Sequence, residues 1–129
     1  MPSEAGSSEA LGIILISAGH ERAHYAFLLA AGAAAVGRDV ILFATNEGCR
    51  ALLADVSPLT GARDAAVRAT GVAGLAELRD ACGEMGVRLI ACEAGLRIAG
   101  LTGTPLAANV TVAGVITFLA AARGQMVTL

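Results

Sequence analysis

Five side chains of this 129-residue chain could do covalent or proton-transfer chemistry near neutral pH: Cys49, Cys82 and Cys92, and His20 and His24. A thiolate can attack sulfur and hold it as a persulfide, with neither metal nor organic cofactor, so no cofactor is expected. Cys92 follows the apolar run 87–91 (VRLIA) and precedes a short helical turn. Backbone N–H groups at a helix start favour an anion, which would raise the thiolate fraction of Cys92. Glu93 opposes that effect, whereas Arg97, about one turn on, would help by pointing back. Cys49, three residues past the candidate cap Asn46, reads as a second thiol or as a half-buried helix residue. Cys82 shares a helical stripe with Leu75 and Leu78 and is read as core.

His20-Glu21-Arg22-Ala23-His24 spells H-E-x-x-H, the pattern in which two histidines bind zinc and the glutamate acts as base. The elongated form of that motif needs Gly at 27 and His at 30, where this chain has Phe27 and Ala30. Residues 25–36 are wholly apolar and offer no third ligand, so a zinc peptidase is not expected. His20 is instead expected near the thiols, where it and Arg97 would stabilise an anion, with His24 packed one turn below. Neither a G-x-G-x-x-G fingerprint nor a P-loop is present.

The elements that must position these groups alternate. The continuous apolar runs 11–17 (LGIILIS), 39–44 (DVILFA) and 87–91 lack a period of two and read as strands buried on both faces. Segment 20–36 reads as an Ala- and Leu-rich helix stopped by Gly37, and a short helix capped by Thr45 or Asn46 runs through Leu53. Segment 55–70, with Pro58 and Gly61, reads as a surface loop with a helical piece and as a candidate mobile lid. An amphipathic helix spans 72–85, with Arg79 among its water-facing residues. A short turn, a strand at 109–112, a helix at 113–123 and a strand at 125–129 complete the order. This pattern predicts an α/β fold, a three-layer α/β/α sandwich with a mainly parallel sheet of about five strands. Cys92, Cys49 and His20 then fall on the carboxyl edge of the sheet, where open parallel sheets place ligands and chemistry.

Composition narrows the function classes. A net charge of −2, with nine Arg and no Lys, argues against nucleic-acid binding. Hydrophobic residues make up 56% of the chain and aromatic residues 3%, so the core must be close-packed Ala, Val, Ile and Leu. A domain this small cannot hide every apolar residue, which points to a homo-oligomer. Segment 98–122 carries no charge, but Pro105, Asn109, three glycines and four threonines break it, so a membrane span is not expected. Residues 1–10 read as a polar disordered tail without signal-peptide features, and 11–129 as a single domain. An odd number of cysteines without framework spacing reads as free thiols in a reducing cytoplasm.

The order of motifs resembles the DsrE/DsrF-like sulfur-relay family, in particular its single-domain, peroxiredoxin-like branch. A strand ending in Ser17, a helix ending AAAVG, the strand DVILFAT followed by x-E-G, the segment GVRLIACEAGLRIAGL and the closing VTVAGVITFLAAA carry the resemblance from about Leu11 to the end. It implies a DsrEFH-like fold assembled as trimers or hexamers. It also implies intracellular sulfur handling by a sulfurtransferase whose persulfide-accepting cysteine matches Cys92. The implied partners are a small sulfur-carrier protein or a rhodanese-like donor. A reading from a different class is a non-catalytic homo-oligomeric module that binds a small anion and whose cysteines are structural.

Overall fold

The computed structural model describes residues 10–129, and the expected tail lies outside them apart from Ala10, which opens the first strand. The elements are β1 (Ala10–Leu15), α1 (His20–Ala35), β2 (Val40–Ala44), 3-10 segments Asn46–Leu52 and Ser57–Leu59, α2 (Ala62–Ala69), α3 (Leu75–Glu84), β3 (Arg88–Cys92), α4 (Glu93–Ile98), β4 (Val110–Ala113), α5 (Val115–Ala121) and β5 (Gly124–Thr128). All five strands are parallel, in the order β4-β3-β2-β1-β5. The chain steps from β1 through β4 in one direction and then returns to the far side of β1. Right-handed crossovers put connections on opposite faces when the direction of travel reverses. Accordingly α1 and α3 cover one face and α5 the other.

The first face is deep. Ile13, Leu15 and Leu42 pack against Ala23, Ala26, Phe27 and Ala30 of α1 and against Leu75 and Cys82 of α3. Small alanines let α1 lie close to the sheet, which is how a chain with so few aromatic residues still fills its core. The second face is thin. Ile41, Phe43, Ile90 and Cys92 meet only Phe118 and Ala122 among the buried residues, and the Phe43 and Phe118 rings stack at 4.6 Å.

Several local expectations are corrected. The segment after β2 is a 3-10 helix, and neither Thr45 nor Asn46 caps it; Thr45 Oγ1 donates to Asn46 Oδ1, and Asn46 adopts φ 53. The expected lid is a folded element, with α2 anchored through Asp64. Arg79 does not face water. It is buried and its Nη1 donates to Ala51 O at 3.1 Å and Leu53 O at 2.8 Å, tying α3 to the 3-10 segment. Cys82 is core, as expected, with its Sγ donating to Phe27 O.

Candidate functional site

The carboxyl edge of the sheet carries two separate polar constructions. The first is the thiol corner. β3 ends at Cys92, which is also the N-cap residue of α4, and its Sγ accepts a hydrogen bond from Gly95 N at 3.4 Å. The sulfur thus occupies the place where a Ser or Asp oxygen would satisfy an unpaired helix-start donor. Two glycines allow close approaches here, Gly48 of the 3-10 segment to the end of β1 and Gly95 of α4 to the start of the 3-10 segment. A side chain on Gly48 would collide with the Leu15 carbonyl, and one on Gly95 with Thr45 and the backbone nitrogen of Asn46.

Cys49 lies in that 3-10 segment, fully buried, and its Sγ donates to Ala44 O at 3.4 Å. Burial first, and then the neighbouring Cys92, push its thiol up to about 11, against the lowering effect of hydrogen bonds from the Cys92 and Cys49 backbones. Cys82 is likewise pushed up to about 11 by burial. Cys49 therefore stays protonated near neutral pH. Cys92 lies on the thin face, 6% exposed, among Phe43, Ile90 and Phe118. All three cysteines are free.

The two expected anion stabilisers are engaged elsewhere. Arg97 is 72% exposed and pairs with Glu93 at 3.4 Å, the residue one turn before it, so it does not fold back on the thiol. A long flexible cation in water is held by the nearest carboxylate on its own helix face. His20 turns to Asp64, with Nε2 and Oδ1 2.8 Å apart. Among the described residues, no hydrogen bond or ion pair joins His20 to Cys92. The donor that does touch the sulfur is the backbone of Gly95.

The second construction is this imidazole corner at the start of α1. Asp64 of α2 is buried, accepts from His20 Nε2 and from Leu75 N at 2.9 Å, and forms an ion pair with Arg68, whose Nε is 3.5 Å away. It caps α3, whose own N-cap Gly74 has no side chain to do so. Burial alone would raise its carboxyl, but the His20 and Leu75 hydrogen bonds and the Arg68 charge hold it below the ordinary value of 3.8. His24, stacked on His20 with ring centroids 5.5 Å apart, donates from Nε2 to Ala73 O at 2.8 Å. Sequence reasoning missed Asp64. The signal was there in two histidines without an obvious partner and one acid in the Ala-rich stretch ARDAAVRA.

Among the described residues, no helix is long and apolar enough to cross a membrane. The model of the DsrE/DsrF-like family matches residues 10–125. The fold is similar to the crystal structure of the YchN protein from E. coli, with a TM-score of 0.72 at 16% sequence identity, covering 94% of this chain and 99% of that one. At that identity the likeness is one of fold. No curated protein matches the chain.

Proposed function

The chain belongs to the DsrE/DsrF-like family, which is associated with sulfur relay, and from that premise we propose that Cys92 accepts and passes on sulfur as a persulfide. The observation that carries this reading is the position of Cys92. It ends a buried parallel strand, caps α4 and accepts the Gly95 N–H, beneath the less covered face of the sheet. The Cys92 thiolate attacks the outer sulfur of a donor persulfide R–S–SH, forming Cys92–S–SH and releasing R–S⁻. An acceptor thiolate then attacks that outer sulfur, taking it as its own persulfide and restoring the Cys92 thiolate. No external oxidant or reductant is consumed. Gly95 N–H takes the anion-stabilising role first expected of His20 and Arg97. Cys49, protonated and buried, does not compete for the donor, and its place is second in any relay.

The partner chemistry that fits is a small sulfur-carrier protein or a rhodanese-like donor, in the reducing cytoplasm that free thiols suit. Assembly as a homo-oligomer, a trimer or hexamer, is supported by the outer side of α5. This seven-residue helix exposes Val115, Leu119 and Ile116, the last 81% accessible, beside Met126 of the edge strand β5. A helix this short has little stability of its own, so a second copy packed on it would both cover the patch and hold the helix. Sedimentation should show a multimer that Ile116→Glu dissociates.

The sulfur reading is tested by intact-mass spectrometry after brief exposure to polysulfide. One added sulfur atom per chain, removed by reductant and absent only in Cys92→Ser, is the expected result. An adduct that survives Cys92→Ser overturns the assignment to Cys92 and moves the sulfur to another cysteine, and none on the wild type overturns the transfer reading and leaves the anion-binding module with structural cysteines as the better account.

A further inference from the structure

The fold uses only part of the buried Arg79. A guanidinium carries five N–H donors, one on Nε and two on each Nη. Nη1 donates to Ala51 O and Leu53 O, and Nε donates to Asp80 Oδ1 at 3.2 Å. Nη2 has no hydrogen-bond or ion-pair partner among the described residues. No buried side-chain nitrogen or oxygen among them lacks a partner, so Nη2 reaches solvent. Arg79 is only 5% exposed, and it lines a cavity of about 400 Å³, a volume in the range of small-molecule sites. A carboxylate there would satisfy the two free donors with the short, strong bonds that form between ions.

The cavity lies toward the amino ends of β3 and β4, whereas Cys92 stands at the carboxyl end of β3. Its backing is firm. Leu53 and Leu106 form an antiparallel bridge, flanked by hydrogen bonds from Ala54 N to Pro105 O and from Ala107 N to Leu52 O, both 2.9 Å. With Nη1 and Nε committed to this frame, the guanidinium is held in one orientation. Leu89 and Leu106 supply apolar wall. Gly83, one turn past Arg79 on the same face of α3, leaves the space above it open. A Cβ at Gly83 would stand 3.7 Å from Asn109 Nδ2, which places the Asn109 amide over that turn.

Charge selects the ligand. Asp80 and Glu84, four apart on α3, line the same cavity as Arg79, so two carboxylates stand against one guanidinium. Asp80 is tied to Arg79 Nε, and Glu84 has no ion pair among the described residues. α3 ends at Glu84, and the negative end of its dipole adds to theirs. A sulfate or phosphate would meet this excess of negative charge, and a bare amine would leave Nη2 unmatched. A ligand with one carboxylate and one ammonium answers both. We propose that the cavity binds a small zwitterion, an α-amino acid with a short aliphatic side chain. Its carboxylate meets Arg79 Nη2 and Asn109 Nδ2, its ammonium faces Glu84 and Asp80, and its side chain packs on Leu89 and Leu106.

The test is a titration of the full chain with L-valine, followed by ¹H–¹⁵N correlation spectra, a readout independent of sulfur transfer. Valine at roughly millimolar concentration should shift the Gly83 backbone amide, the Asn109 side-chain amide and the Arg79 Nε–H together. Isovalerate, which lacks the ammonium, and isobutylamine, which lacks the carboxylate, should each bind at least about tenfold more weakly. Glu84→Gln should weaken valine about tenfold and leave isovalerate no weaker. Gly83→Leu, whose Cβ meets its neighbour at an ordinary contact distance, should fill the cavity and abolish the shifts. Arg79→Ala would also untie α3 from the 3-10 segment, so it is not the deciding variant. Unmoved resonances with valine would overturn the proposal. So would isovalerate binding as tightly as valine, which would make this a plain carboxylate site, or shifts that persist in Gly83→Leu. The wild-type titrations with the three compounds decide the matter even where a variant fails to fold.

Discussion

The two faces of the sheet are covered by unequal amounts of protein, and the cysteines divide between them. Cys49 and Cys82 belong to the deep core beneath α1 and α3, while Cys92 belongs to the thin layer beneath α5. A thiol in the deep core is dry on every side, so its charged form is disfavoured. Cys92 has a backbone N–H aimed at its sulfur and a single short helix above it. Burial on the first face thus protects thiols, and on the second it holds one near the surface without leaving it open to solvent.

The largest expected contrast is in alkylation. A thiol pushed up to about 11 from 9.0 has about a hundredth of the thiolate of an ordinary one near neutral pH. With iodoacetamide on the native protein, peptide mapping should find Cys92 modified first, with Cys49 and Cys82 at least about tenfold slower. Equal rates at all three would end the distinction between the faces.

Next in size is the comparison of two rings that are both fully buried, Phe27 on the deep face and Phe118 on the thin one. Phe27→Ala should cost about 3–5 kcal/mol in urea unfolding, because α1 cannot close over the hole. Phe118→Ala should fall at or below the lower end of that range, since the two-turn α5 can settle onto the sheet. Only the second change should speed Cys92 alkylation. If both variants leave the Cys92 rate alone, α5 is not its cover.

These regions differ too in how much of them the sequence reveals. Uninterrupted runs such as LGIILIS and VRLIAC read directly as strands buried on both faces, and the strand–helix order led to the parallel sheet and to Cys92 at its edge. Partners set by tertiary approach were not legible. Asp64 stands 44 residues from His20 and meets it only once α2 folds back on α1. Arg79 looked like a solvent charge on a helix, yet two carbonyls left over from an irregular segment draw it inside. The thin second face was hidden as well: segment 113–123 read as one helix, but Ala113 still pairs with Cys92 in the sheet. That shortens the covering element to seven residues.

A smaller effect should appear in acid. The Asp64 carboxyl is held below 3.8, so its stabilising contribution is full above that value and is lost as pH falls through its lower folded value. Urea midpoints measured from pH 7 down to pH 3 should therefore drop more steeply in the wild type than in Asp64→Asn. Parallel curves would mean that the carboxylate contributes nothing to folding and serves only to orient His20.

The smallest expected effect concerns Arg97, whose position one turn past Cys92 made it a candidate anion stabiliser. Its side chain is 72% exposed and its partner Glu93 is 62% exposed. An exposed pair four apart on a helix contributes about 0.3–0.5 kcal/mol, and water screens whatever field reaches the sulfur. Arg97→Ala should leave the denaturant midpoint almost unchanged and Cys92 alkylation within about twofold. By contrast, inserting proline at Gly95 removes the N–H that touches Cys92 Sγ, and Cys92 alkylation should slow. A proline there also adds bulk where α4 abuts Thr45, so circular dichroism must first show that the variant folds. If instead Arg97→Ala slowed Cys92 tenfold while the midpoint stayed put, the guanidinium would be reaching the thiolate in solution, and the stabilising group would be the side chain rather than the backbone donor.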